Sequence, residues 1–199
     1  MEHVGFNAWF GPLSAKDDSA AIVHEALINL GLKKQGRQPP APRTAMRYGS
    51  MTSPASLPVI VGDKRPWCEV ILHPIESAVL DVLGHDQVRA LLMQLSDKIH
   101  AVIGRTFDES LQGAVAEHEI EGGPEWLDWL QYWGPTIVSR WGVDRIKSGA
   151  FRLAEELPTG GCAITLFDGP EDPMQMSLQA KAAAHLGIKL RAYPGRSLR

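Results

Sequence analysis

The feature that most constrains the fold is a hairpin pattern in the last third of the chain. Apolar and charged residues alternate over Phe151–Leu157, the turn Pro158-Thr159-Gly160-Gly161 follows, and Cys162–Phe167 is a short, almost wholly apolar run. Alternation with a period of two places one set of side chains on each face of a strand, and a glycine-rich turn lets the chain reverse. The pattern therefore predicts an antiparallel hairpin, and with it a sheet.

Further strands are predicted before this hairpin. Val4–Phe10 alternates and ends at Gly11-Pro12, while Leu57–Val61 and Trp67–Leu72 are apolar runs of strand length joined by a polar turn. Because proline cannot donate a hydrogen bond within a sheet, Pro58 predicts that its strand begins at an edge. The chain thus supplies at least five strands, most of them neighbours in sequence.

The first two helices are predicted from amphipathic spacing and from their ends. One begins after Ser14 or Asp17 as the N-cap and ends at Gly31. The second begins at His85 or Asp86 and runs to about Ile103, with apolar residues three and four positions apart. Both are long enough to cover one face of a sheet.

Two more helices are predicted in the second half. Pro124 is a good first residue for a third helix, which would place Trp126, Trp129 and Trp133 on one face. Gly134-Pro135 breaks it, and Ile137–Trp141 continues it in helical or short-turn form. The fourth runs from about Pro173 to Leu186, where an alanine-rich centre favours a helix.

These elements predict an α+β fold: a single domain with a mixed, mostly antiparallel sheet and helices packed on one side. Residues 1–190 form this domain, and residues 191–199 form a basic flexible tail. Between the first helix and the next strands, Gln35–Ser56 is rich in proline. It is expected to be a long loop with one short strand, Ala45–Tyr48.

Composition excludes several classes of function. The net charge of -3 over 199 residues gives no general affinity for nucleic acid or for an anionic membrane surface. No run approaches the length of a membrane span, and no export signal is recognised near Met1, so a cytoplasmic location is expected. Cys68 and Cys162 both lie in apolar strand contexts and are expected to be buried, reduced thiols.

The familiar catalytic and cofactor motifs are absent, so no cofactor, metal or catalytic residue is expected. Gly11–Lys16 lacks the second glycine and the hydroxyl residue of a phosphate-binding loop, and no dinucleotide or serine-hydrolase motif occurs. The pairs His24-Glu25 and His118-Glu119 lack a second histidine one helical turn later, which excludes a zincin. Glu155 and Glu156 point to opposite faces of one strand and cannot share a substrate.

The segment Glu117–Trp133 gives a positive reason to expect a partner. It interleaves carboxylates with large aromatic residues, which are enriched in protein interfaces, and a negative rim steers a positive partner. The candidate partner-binding residues are Glu117, Glu119, Glu121, Glu125, Trp126, Asp128 and Trp129. The alternative interpretation is a solvated acidic loop followed by a helix whose tryptophans fill the core.

The second half of the chain also resembles a known family. Its signature residues are Pro124–Trp133, the turn Pro158–Gly161, the strand Cys162–Phe167, and Asp168-Gly169-Pro170-Glu171-Asp172-Pro173 before the last helix. This layout resembles the immunity-protein-fifty-two family of bacterial polymorphic toxin systems, over Pro124–Gly187. The first half matches only in the order of its elements.

The resemblance implies a small cytoplasmic immunity protein that binds and neutralises a cognate toxin by occluding its active site. Some toxins of this kind are nucleases delivered by type VI secretion, and the basic cleft of a nuclease would complement an acidic surface. The family offers no catalytic residue to carry over. Two alternatives stay open: a small enzyme with a site of scattered histidines and glutamates, and an adaptor subunit of a larger complex. The oligomeric state is not predicted.

Overall fold

The computed structural model describes residues 3–14, 16–35, 44–49, 56–108, 115–169 and 175–191. Its strands are β1 (His3–Phe10), β2 (Lys33–Gln35), β3 (Thr44–Gly49), β4 (Ser56–Lys64), β5 (Trp67–Glu76), β6 (Ala101–Asp108), β7 (Leu130–Trp133), β8 (Leu153–Glu156) and β9 (Cys162–Thr165). Its helices are α1 (Ser19–Asn29), α2 (Ser77–Lys98), α3 (His118–Gly122), α4 (Pro135–Val138), α5 (Val143–Lys147) and α6 (Gln175–Leu186).

Within these residues the strands form one sheet in the order β2-β3-β4-β5-β1-β6-β7-β9-β8. Every pairing is antiparallel. The α+β class and the antiparallel sheet are therefore confirmed, and so is the hairpin, in which β8 pairs with β9. Both cysteines are buried and free, as expected.

The two faces of the sheet carry different coverings. A Cβ built at Gly104 would lie 2.9 Å from Phe6 Cζ and 3.4 Å from Ser96 Oγ, so α2 covers the face to which Phe6 points. On the opposite face, Asn7 and Trp9 hydrogen-bond to the backbone of Val115, at the start of the segment that contains α3. The expected one-sided covering holds for the long helix α2, whereas a shorter segment covers the other face.

The third predicted helix is wrong. Residues from Pro124 to Trp129 are not helical, and Leu130–Trp133 is strand β7, paired with β6 on one side and β9 on the other. Leu130–Trp133 forms a strand despite the helical spacing of the tryptophans, because a neighbouring strand pairs with it on each side. All four residues of β7 are buried, so both faces of the strand need apolar cover. The short helix expected after Pro135 is present as α4.

The second predicted helix differs at both ends. Helix α2 starts earlier, at Ser77, and Gly84 interrupts it with φ 74°, directly before the predicted start at His85. It ends at Lys98, and the residues predicted to be its last turn begin β6 instead. Gly104 therefore lies within a strand, where the absent side chain leaves room for Phe6 and Ala8.

Three smaller predictions also change. The N-cap of α1 is Asp18, whose carboxylate accepts from Ala20 N and Ala21 N at 3.0 Å, because Asp17 instead accepts from Ser14 N. Strand β4 is internal and not at an edge, since it pairs with β3 and with β5. Pro58 itself lies one residue before Val59, the first residue of β4 that pairs with β5. Within the expected loop Gln35–Ser56, the predicted short strand Ala45–Tyr48 is present as β3, but it pairs with β2, which ends where the loop was expected to begin. Residues 36–43 and 50–55 of that loop lie outside the described residues, as do residues 192–199.

Tyr132 of β7 gives the fold a dependence on alkaline pH. Burial raises the pKa of this phenol from its ordinary value of 10.0 to about 12, beside the Asp97 carboxylate 3.4 Å away. Below pH ~10 the phenol is neutral in both states; between ~10 and ~12 only the unfolded chain loses the proton, so stability falls as pH rises. Thermal unfolding from roughly pH 9 to 11.5 should show a steeper loss in the wild type than in Tyr132→Phe. Parallel curves would contradict this. The variant keeps Cys162, whose pKa burial raises to about 11, so the comparison also controls for the titration of that thiol.

Candidate functional site

The candidate site lies on the segment that covers the Asn7 face of the sheet, which we call the covering segment (residues 115–126). Its first residue is anchored to β1, since Val115 N donates to Asn7 Oδ1 at 2.8 Å and Trp9 Nε1 donates to Val115 O at 2.9 Å. Helix α3 follows and ends at Gly122, and the next residue, Gly123, has a φ of 90°, which favours glycine. The covering segment is thus held at its start by side chains of the central strand.

Glu119 is the centre of the covering segment rather than part of its surface. Its carboxylate is 2% exposed and forms a two-fold ion pair with Arg105 of β6, with both N–O distances 3.0 Å. It also accepts from Ala116 N at 2.9 Å and from Glu125 N at 2.8 Å. One carboxylate therefore joins the sheet to both ends of α3, and such charge-assisted, two-fold hydrogen bonds are among the strongest in proteins.

The outward side of the covering segment borders an open depression. Trp67, Glu117, His118 and Glu121 line it, with a volume of about 470 Å³, and we call it the acidic depression. Trp67 comes from the start of β5, and the three other residues come from α3 and the residue before it. The depression offers two exposed carboxylates beside a partly exposed indole, a combination that suits a basic side chain.

Charged side chains extend the depression at one end. His118 Nε2 lies 3.0 Å from Glu125 Oε2, and Arg191 Nη1 lies 4.0 Å from the same oxygen. Arg191 N also donates to Glu125 O at 3.0 Å, which brings the end of the described chain next to the covering segment. Because these pairs are exposed, each contributes little to stability.

The structure divides the seven predicted site residues into two groups. Glu117 and Glu121 are exposed at the acidic depression, and Glu125 and Trp126 are partly exposed beside it. Glu119, Asp128 and Trp129 are buried. Trp129 belongs to the core, where the ring of His85 packs edge-on against it at 5.1 Å between centroids. The segment thus has an acidic surface at α3, which both interpretations of the sequence include, and core tryptophans after it, as the alternative interpretation expected, although not on a helix.

This region also contains Trp67, Arg105 and Arg191, which were not predicted from the sequence, and His118, which lies within the segment Glu117–Trp133 but was not among the candidate partner-binding residues. The role of Arg105 is indicated in the sequence, because it is a lone arginine inside the apolar run from Ala101 to Phe107. An arginine in a buried strand requires a carboxylate partner. This indication was overlooked because the start of the run was predicted to be helical. Trp67 left no signal, because only the pairing of β5 with β1 brings it to the covering segment.

The described ranges of the chain contain neither a cluster of metal-ligating side chains nor a helix that could cross a membrane. Across those ranges, no group of three or more histidine, cysteine, aspartate or glutamate residues is arranged to hold a metal ion. None of the helices seen there combines the length and the apolar character needed to span a bilayer.

Comparison with known proteins identifies the fold. No protein-family model matches the sequence, and no curated protein matches it. Among solved structures, the chain is similar to the Pseudomonas aeruginosa T6SS protein PA0821, with a TM-score of 0.60 and 10% sequence identity. The match covers 96% of this chain and 77% of that chain.

What the two proteins share is the fold. At 10% identity the similarity extends to the architecture and not to individual residues. The likeness to the immunity-protein-fifty-two family stays a resemblance carried by the residues quoted from the sequence, since no family model matches.

Proposed function

We propose that this chain is an immunity protein that binds a toxin of a type VI secretion system in the cytoplasm and neutralises it. The observation that carries the proposal is the acidic depression, in which Glu117 and Glu121 stand exposed beside Trp67 on a covering segment fixed to the sheet. A surface held in place before binding loses less conformational entropy when a partner arrives. The shared fold with a type VI secretion protein and the resemblance in the second half both support this choice.

The chemistry of the depression indicates the kind of toxin surface that fits. Carboxylates attract lysine and arginine side chains, and an indole face binds a cation that has lost part of its water. A nuclease has such a basic surface at its active cleft, because the cleft must hold phosphate. We therefore propose that the acidic depression meets the basic cleft of a nuclease toxin and occludes it.

The apolar surface favours an independent binder over an obligate subunit. Among the residues whose side-chain burial the structure describes, the large apolar side chains that are exposed are Ile28 and Leu153, on α1 and β8. Obligate subunits usually present a larger apolar face. An immunity protein must instead be stable while it waits for its toxin, and the small apolar exposure suits that requirement.

Co-purification tests the proposal directly. The chain should form a stable complex with the product of the neighbouring gene at micromolar concentration, and its co-expression should protect cells from that product. Absence of a complex at this concentration, together with absence of protection, would overturn the proposal.

Charge reversal at the depression tests the proposed surface. Glu117→Lys/Glu121→Lys should slow association with the toxin about tenfold at low salt, with a smaller effect at high salt, because steering by charge is screened. The dissociation rate should change less. Stopped-flow or surface-based kinetics at two salt concentrations measure both rates.

The control for this experiment changes the net charge equally at another place. Glu25→Lys/Asp86→Lys alters two exposed carboxylates on α1 and α2, outside the covering segment. Equal slowing by both double variants would mean that only net charge matters. Unchanged rates in the Glu117/Glu121 variant would show that the acidic depression is simply solvated.

A further inference from the structure

We infer that the buried Arg105–Glu119 pair is the positioning element of the acidic depression: it holds the covering segment in the one arrangement that presents Glu117, His118 and Glu121 beside Trp67. The inference deepens the proposed function, because it concerns the surface proposed to meet the toxin. Its test uses the free chain and needs no partner.

The hydrogen bonds of Glu119 show how the pair acts at a distance from the surface. Ala116 precedes α3 and Glu125 follows it, and the backbone N–H of each donates to a different oxygen of the same carboxylate. Arg105 holds both oxygens from below and also donates to Trp126 O at 3.2 Å. The carboxylate thus closes a loop of about ten residues around itself and fixes that loop to β6.

The other described contacts of the covering segment each hold one part of it: Ile120 is buried in the core, and Arg191 N donates to Glu125 O. The helix has five residues, and its N-cap, Glu117, makes no side-chain capping hydrogen bond. So short a helix is not stable by its own hydrogen bonds, which cannot offset the cost of nucleation. Arg140 donates to Glu121 O, but it lies in the exposed turn after α4 and restrains a single carbonyl. The ion pair is therefore the contact that sets both ends of α3 at once.

The outer side of α3 carries the surface that this arrangement presents. Glu117, His118 and Glu121 project into the solvent from the residue before α3 and from the helix itself, whereas Glu119 and Ile120 are buried. A rotation of the helix would exchange these two sets. Because Glu119 is held at two oxygens by a planar guanidinium, such rotation requires the ion pair to break.

The anchor at Val115 provides an internal control for this inference. Its N–H donates to Asn7 Oδ1, and its carbonyl accepts from Asn7 Nδ2 and Trp9 Nε1, so its hydrogen bonds do not depend on Glu119. Loss of the ion pair should therefore release the segment after Ala116 and leave Val115 attached. A role of the pair in general stability alone would affect both sites together.

Amide exchange of Arg105→Met/Glu119→Leu tests the inference. Removing both charges avoids a buried unpaired ion, and such double replacements usually preserve folding. We expect the α3 amides of Ile120 and Gly123, which donate to backbone carbonyls and not to the Glu119 carboxylate, to exchange at least about tenfold faster than in the wild type, while Val115 and the residues of β1 keep their protection. Exchange followed by NMR on the free protein resolves these sites individually.

Two outcomes would overturn the inference. Protection of Ile120 and Gly123 could stay at the wild-type level, in which case the pair does not position the segment. Alternatively, Val115 and β1 could lose protection to the same degree, in which case the pair acts on global stability only. Glu119→Gln, which keeps one acceptor oxygen, serves as the second variant and should release one of the two amides that the carboxylate binds, those of Ala116 and Glu125, more than the other. Failure to find a toxin leaves these results untouched, so the two proposals fail separately.

Discussion

Glu119→Leu is expected to destabilise the protein by about 3–5 kcal/mol, the effect typical of removing one partner of a buried ion pair. The variant leaves the guanidinium of Arg105 buried, at 1% side-chain exposure, without the carboxylate that takes up its charge. It also removes the acceptor for the N–H groups of Ala116 and Glu125. Urea unfolding followed by tryptophan fluorescence gives the change in free energy of unfolding.

The matched control for this variant lies two residues away. Glu121 has the same side chain on the exposed side of α3, so Glu121→Leu should change stability by no more than about 0.5 kcal/mol. A loss below ~1 kcal/mol for Glu119→Leu would show that the structure relaxes to hydrate Arg105. That result would also weaken the inference that Arg105 and Glu119 position the acidic depression.

Trp133→Ala is expected to cost a similar amount, about 3–5 kcal/mol, for a different reason. Trp133 is completely buried in β7, with the rings of Trp141 and Phe151 at centroid distances of 5.3 and 6.1 Å. Its Nε1 donates to Gln131 Oε1 at 3.0 Å. Truncation would open a cavity between the sheet and α4 and would remove that donor. Thermal and urea unfolding measure the loss.

Trp67→Ala is the comparison for this prediction. Trp67 is partly exposed at the acidic depression, so its replacement removes less buried surface and should cost clearly less than Trp133→Ala. Equal costs would contradict the division of the tryptophans into core and surface. If the toxin binds at the depression, Trp67→Ala should weaken binding more than it weakens folding, whereas Trp133→Ala should do the reverse.

The sequence predicted those elements whose pattern has one interpretation. β1 and the hairpin of β8 and β9 follow alternation or a short apolar run with clear turns, and the structure has them where they were expected. β7 was missed because Leu130–Trp133 is large and buried on every side, so its hydrophobicity shows no alternation. Because Trp126, Trp129 and Trp133 are spaced at three and four, the same residues also fit a helical period. Pairing with β6 and β9 is what makes Leu130–Trp133 a strand and not part of a helix.

The candidate site was predicted in location and not in composition. Acidic residues near Glu117 do form a surface, but nothing local distinguishes Glu119 from Glu117 and Glu121, which have the same side chain two positions away. Glu119, on α3, is buried because its partner Arg105, fourteen residues earlier in the chain, lies on strand β6 of the sheet that α3 covers. Such a pairing depends on sheet order, which a single sequence does not contain. The same holds for Trp67, which reaches α3 only because β5 lies beside β1.

The central position of β1 has a consequence for how the protein is made. Phe6 lies opposite Leu72 on one side and Thr106 on the other, so β1 is synthesised well before either of its neighbours. On the ribosome, this strand stays unpaired while about sixty further residues emerge before β5, and one of its edges stays open for about thirty more until β6, with Phe6, Trp9 and Phe10 accessible to other chains. Pairing over such separations closes large loops and slows folding. We therefore expect newly made chains to depend on chaperones that bind extended apolar segments, and to aggregate through β1 when synthesis stops before β6.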